Sequence, residues 1–204
     1  HAFGVKFKNE SLLNFGDIST VSFHATKLFH TIEGGAVICK DEKISEKIFL
    51  YRALGHLDDE YYSVGINGRT SEFNAAMGLC NLPRVNDFIL ERKNINQLYR
   101  DSLSGTYLEF PSVPEDLEYN YSYFPVLFTS ESQMLEMKNK LLENGINARR
   151  YFYPSLNKLP YLNTENCPVS ESTASRVLCL PVFNGMSSDI IKFVSAIIKN
   201  NIIN

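Results

Sequence analysis

The chain has 204 residues, 44% of them hydrophobic and 21% charged, with net charge −3 and a pI near 5.8. That is enough chain for one large or two small cored domains. It has no basic excess to attract a nucleic-acid backbone and no apolar run near the roughly 18 residues that cross a bilayer.

Elements follow in chain order. His1-Ala2-Phe3-Gly4 carries no initiator methionine and reads as the middle of a longer protein, and no signal peptide is visible. Residues 20–24 and 35–39 are short apolar runs bounded by Gly16-Asp17 and Gly34-Gly35, so both are predicted strands. Residues 41–54 place Ile44, Ile48, Leu50, Tyr51 and Leu54 at helical spacing, with Asp41 as N-cap and Gly55 as stop. Residues 55–69 form a loop rich in tyrosine and glycine, long enough to be functional. Ser71 caps a second helix, and Pro83 opens a third that runs to about Leu103. A break at Ser104-Gly105 sets the expected boundary: 1–104 as an α/β part with a bridging helix, and 105–204 as a small α+β domain.

In the second part, residues 119–128 are dense in aromatics and read as a strand, with Pro125 at an edge or bulge. Tyr119, Tyr121 and Tyr123 alternate at period two, the pattern of a core with one wet face rather than a base-stacking platform. Residues 133–144 are helical and capped by Gly145; residues 146–153 are a short strand or extended loop; residues 187–203 are an amphipathic last helix. Cys39, Cys80, Cys167 and Cys179 form no CxxC pair and lie at no metal-ligand spacing with histidine, so they read as reduced cytoplasmic thiols and no metal is expected.

The chemistry concentrates in Ser22-Phe23-His24-Ala25-Thr26-Lys27 and the following Glu33-Gly34-Gly35. A lysine amine becomes a nucleophile toward aldehydes when burial or a neighbouring cation favours its neutral form. Lys27 follows an apolar strand, at whose end α/β sites gather. Ser22 is placed to donate to a phosphate, and the glycine pair lets backbone approach a planar ligand. On spacing alone, a solvated Lys27 beside a solvated Glu33 explains the same residues.

A resemblance adds weight to the first reading. Ser22 to Lys27, Glu33-Gly34-Gly35 and the run from Gly65 to Ala76 occur in the order and spacing of the DegT/DnrJ/EryC1/StrS aminotransferases. Leu82, Val85 and Arg92, then Pro154 among aromatics and Leu180-Pro181-Val182, continue the pattern over essentially the whole chain. The resemblance implies the C-terminal part of a pyridoxal-phosphate-dependent transferase of fold type I, like aspartate aminotransferase: a remnant of the large α/β domain plus a small α+β domain. It implies that Lys27 holds the cofactor covalently and that Ser22 binds its phosphate. It implies that Asn67 reaches the phosphate of a neighbouring subunit in a homodimer. His24 either contacts the cofactor or braces the loop.

The family's histidine-bearing dehydratases are set aside by Lys27, and the surrounding residues resemble the branch that aminates the 4-keto carbon. The implied reaction moves an amino group from glutamate to a nucleotide-linked 4-keto-6-deoxy sugar, in the cytoplasm, for surface polysaccharide. Arg149, Arg150 and Tyr151 are the candidates for the nucleotide diphosphate, with two solvated strand arginines as the alternative. Family members are nearly twice as long, and their upstream half supplies the aspartate that faces the cofactor ring nitrogen. The expectation is therefore a portion of an enzyme, inactive alone. The competing reading is a non-catalytic assembly or regulatory module.

Overall fold

The computed structural model describes residues 1–162 and 164–202. They divide into two compact units, one of residues 1–89 with 114–120, the other of residues 90–113 with 121–204. This division differs from the 104/105 boundary expected from the Ser104-Gly105 break.

In the first unit, β1 (Lys6–Phe7) pairs antiparallel with β2 (Glu10–Ser11). The main hairpin joins β3 (Ile18–Ser22) to β4 (Gly35–Cys39), antiparallel, with Ser22 opposite Gly35. Both strands fall where turn residues bound an apolar run, although β3 begins and ends two residues earlier than its sequence pattern placed it. Helix α1 (Glu42–Arg52) starts where the Asp41 carboxylate accepts from Ile44 N at 3.0 Å. None of its residues is buried, and Phe49 and Tyr51 face solvent.

The loop after α1 contains a hairpin that the sequence did not show, β5 (His56–Leu57) with β6 (Glu60–Tyr61). It folds back on the end of α1: Gly55 N, Ile66 N and Gly68 N donate to the carbonyls of Leu50, Tyr51 and Arg52 at 2.7–2.8 Å. The orphan carbonyls of the last helical turn are thereby satisfied. Glycine is needed here, because a Cβ at Gly65 would stand 2.4 Å from Gly55 N and 2.6 Å from Tyr51 O.

Helix α2 (Glu72–Asn81) is capped by Ser71, whose hydroxyl accepts from Asn74 N at 3.3 Å. A 3-10 turn over Leu82–Arg84 holds Pro83 and leads into α3 (Val85–Ser102). The first unit is completed by β7 (Leu117–Glu118), which pairs with β1.

The second unit has its own core. Strand β8 (Phe124–Leu127) is antiparallel to β9 (Val177–Leu180), with α4 (Glu131–Glu143), α5 (Pro168–Arg176) and α6 (Ser188–Ile202) around them. Ile95, Tyr99 and Leu103 of α3 belong to that core, which is why the unit begins inside α3 and not after it. On α6, Ile191, Val194, Ile198 and Ile202 are buried at helical spacing, the amphipathic face the sequence displays. Ile203 lies outside the described residues. Gly145, at φ +75°, ends α4: its N–H donates to Leu142 O at 2.9 Å, and Ile146 N donates to Leu141 O at 2.9 Å.

One sequence expectation is corrected here. Residues 119–128 are not one strand, because Tyr121 sits at φ +53° and interrupts the extended backbone before β8. Of the two alternatives left open for residues 146–153, the structure shows the extended loop, joined to the sheet by the bridge between Arg149 and Cys179.

Candidate active site

Lys27 stands just beyond β3. That strand ends at Ser22, and a tight turn closes with Lys27 N donating to His24 O at 2.9 Å. Lys27 thus closes a turn rather than ending a strand. The loop then returns to β4 under tight control. Phe23 N donates to Gly34 O at 2.8 Å and Thr31 N to Phe23 O at 2.9 Å, so residues 23–34 are pinned at both ends.

The turn rests on aromatic rings. Phe23 and Phe29 flank it edge to face at 4.9 Å, and Phe3 stacks on Phe29 at 4.6 Å. Leu28 and Phe29 are buried directly after the lysine. The segment bearing Phe3 is fixed in turn by Asn120, only 1% exposed, whose amide nitrogen donates to His1 O at 2.9 Å and Phe3 O at 2.8 Å. This brings the His1 imidazole to Lys27: Nζ and Nε2 are 2.9 Å apart. Sequence reasoning missed His1 as a neighbour of the lysine amine. The only signal for it was the aromatic at Phe3, whose partner lies twenty-six positions away.

Ser22 is exposed, and its hydroxyl accepts from His24 N at 3.3 Å. His24 Nδ1 accepts from Thr26 N at 3.3 Å and lies 2.9 Å from Thr26 Oγ1. A backbone N–H can only donate, so Nδ1 is the unprotonated nitrogen and the ring proton sits on Nε2. That nitrogen is 3.5 Å from Glu33 Oε1. The geometry therefore gives His24 a local task, tying the turn to the Glu33 arm of the loop.

Asn67 is exposed on the loop that folds back on α1. Arg69 Nε donates to its Oδ1 at 3.1 Å, which occupies the amide oxygen and leaves the nitrogen as the end able to donate outward.

In the second unit, the two adjacent arginines separate. The Arg150 side chain is 15% exposed, its guanidinium bonded to Glu131 Oε1, donating to Ser175 O at 3.3 Å and lying against the Tyr153 ring. The Arg149 guanidinium lies over the Tyr151 ring, 5.6 Å from its centre. The Tyr151 hydroxyl is 3.3 Å from that of Tyr123, whose pKa is raised first by burial and then by this bond. Burial pushes the neighbouring Cys179 thiol up to about 11.

The residues of the Lys27 turn fit a phosphorylated aldehyde. Lys27, a partly exposed residue, brings the amine that condensation with an aldehyde needs, and Ser22 on the same strand-and-turn brings an exposed hydroxyl of the kind that donates to a phosphate. Among the described residues, no cluster of three or more His, Cys, Asp or Glu side chains is placed to hold a metal, and no helix is long and apolar enough to cross a membrane.

The chain matches known proteins over nearly its whole length. The model of the DegT/DnrJ/EryC1/StrS aminotransferase family matches residues 1–199. The chain belongs to that family. Pyridoxal phosphate is the family's cofactor. Among its relatives, the dTDP-4-amino-4,6-dideoxy-D-glucose transaminase of Shigella dysenteriae is 40% identical over 98% of this chain and 56% of its own length. The Escherichia coli protein of the same name is 34% identical over 94% of this chain and 54% of its own. A crystal structure of DesI, in the presence of its TDP-sugar product, is 28% identical with a TM-score of 0.90, covering 98% of this chain and 53% of that one. The chain therefore spans about half the length of the family members it matches, and its fold is that of a portion of a fold type I sugar aminotransferase.

Proposed function

We propose that this chain is the lysine-bearing portion of a transaminase that moves an amino group from glutamate to the 4-keto carbon of a dTDP-linked 4-keto-6-deoxy sugar. Its support is the placement of Lys27. The lysine stands in a pinned turn just beyond Ser22, in a member of an aminotransferase family two of whose relatives are named dTDP-4-amino-4,6-dideoxy-D-glucose transaminase.

When bound, pyridoxal phosphate supplies the electron sink for charge at the reacting carbon. The residues of this chain do the rest. Lys27 would hold the cofactor, and its Nζ, set free when the donor's amine takes its place, would take the proton from the donor's α-carbon as general base and return it as general acid. The Ser22 hydroxyl donates to the phosphate. Asn67 offers its amide nitrogen to the phosphate of a second copy, which makes the working enzyme a homodimer with shared sites. His24 keeps the turn in shape. Arg149, over Tyr151, is the arginine of its pair disposed toward a nucleotide diphosphate, whereas Arg150 is committed to Glu131 and Ser175. We place the reaction in the cytoplasm, supplying amino sugar for surface polysaccharide.

Borohydride reduction of the intact protein loaded with pyridoxal phosphate tests the reading. The pyridoxyl mass is expected on the peptide containing Lys27. Lys27→Ala is expected to lower release of 2-oxoglutarate from glutamate and dTDP-4-keto-6-deoxyglucose by about 100-fold or more. A label on another lysine, or turnover by Lys27→Ala at the unsubstituted rate, would remove the proposal. Normal self-association with neither labelling nor turnover would favour the assembly module.

A further inference from the structure

Helix α2 contributes no side chain to the chemistry above, yet one of its faces touches the Lys27 loop at three successive levels. Asn74 Nδ2 donates to Glu33 O at 2.9 Å. One turn on, Gly78 is buried, and a Cβ there would stand 2.9 Å from Thr31 Cγ2 and 3.8 Å from the Phe29 ring. At the end of the helix, Asn81 Nδ2 donates to His30 O at 3.0 Å. Residues 74, 78 and 81 are spaced i, i+4 and i+7, which puts them on one face of an α-helix. The other sides of the helix are different in kind, since Phe73 and Leu79 are 86% and 72% exposed.

The loop needs such a support. Ile32, a β-branched residue, is held at φ +66°, a conformation that such residues avoid unless their surroundings enforce it. The surroundings here are Thr31, whose Oγ1 donates to Glu33 O at 2.8 Å, and Asn74, which donates to the same carbonyl. Both lone pairs of Glu33 O are used, so the chain on either side of Ile32 is fixed. Close approach at Gly78 lets the helix backbone serve as the floor. Any side chain there would push against Thr31, the residue whose N–H ties the loop to Phe23 O.

We propose that the Asn74–Gly78–Asn81 face of α2 is a positioning device for Lys27, holding the loop that follows the lysine so that the turn presents its amine in one orientation. The inference rests on the reading of Lys27 as the cofactor-bearing residue and adds to it three positioning residues that need touch neither cofactor nor substrate.

The test replaces the two amide donors with isosteric acceptors, Asn74→Asp and Asn81→Asp, singly and together, in the intact protein loaded with pyridoxal phosphate. Two quantities are read: the rate of borohydride trapping on Lys27, by peptide mass, and the hydrogen-exchange rate of the Thr31 amide. The double variant is expected to trap roughly tenfold more slowly and to exchange at Thr31 roughly tenfold faster. Asn74→Gln and Asn81→Gln keep the donor and are expected to restore both, which general unfolding of the unit would not allow. Label on Lys27 at the unsubstituted rate in the double variant overturns the positioning role and leaves Lys27 standing. Absence of label on Lys27 in the unsubstituted protein overturns the functional reading and this inference with it. Failure of the glutamine variants to restore trapping also overturns the inference, because the amide donor would then not be what matters.

Discussion

At the scale of single residues, reactivity follows surroundings rather than residue type. Cys167 and Cys179 carry the same thiol in the same unit. Cys167 is exposed ahead of α5, whereas Cys179 lies within β9 and is held by burial near a pKa of about 11. Burial disfavours the thiolate, and the thiolate is the nucleophile. Set against an ordinary thiol, this lowers the thiolate fraction at pH 8 by about 100-fold. Limited alkylation of the native protein at pH 8 should therefore modify Cys167 well before Cys179, read by peptide mass; equal labelling would show that Cys179 is not buried as described. The same logic separates the two arginines at 149 and 150. Adjacent in sequence and equal in chemistry, they differ because Glu131 and the Ser175 carbonyl lie within reach of one of them. That Ser22, His24 and Lys27 share one turn was legible because turn chemistry is local and their motif is contiguous. His1 was not, because its approach to Lys27 depends on Asn120, a residue more than a hundred positions away.

At the scale of elements, caps and periodicity carried the reading well where an element is held by its own sequence. Asp41, Ser71 and Gly145 each cap the helix that the sequence assigned to them. Helix α6 shows its buried face as plainly in the sequence as in the fold. Ile198 is fully buried on that face, so Ile198→Ala should cost about 2–5 kcal/mol, seen as a lower denaturant midpoint at unchanged slope. A cost under about 0.5 kcal/mol would mean that the helix does not dock as described. The elements missed were those without a periodic signature. Two-residue strands such as β5 and β6 have no period to detect. The first turn of α5 lies behind Cys167, which makes no side-chain cap bond. The strand expected over 119–128 shortened because aromatic alternation does not report the left-handed backbone at Tyr121.

At the scale of the whole molecule, the two units are stabilised differently. The second encloses a continuous core from Ile95 to Ile202, with Phe124, Val126, Leu178 and Ile198 nearly inaccessible. The first buries few side chains: α1 has none, and Val64, Phe73 and Leu79 are largely exposed. Burial of apolar area is the main favourable term in folding, and opening free energies vary within a protein accordingly. Amides of β8, β9 and α6 in this chain should exchange slowest, and those of α1 and the β5–β6 hairpin fastest. Equal protection in both groups would show that the first unit has gained a partner surface. Sequence alone determined what is written in contiguous residues: the family, the helix caps and the amphipathic last helix. These depend on chemistry within one or two turns of chain. Tertiary structure alone decided which arginine is engaged, where the first unit ends, and that α2 lies under the Lys27 loop, because each of these joins residues that only folding brings together.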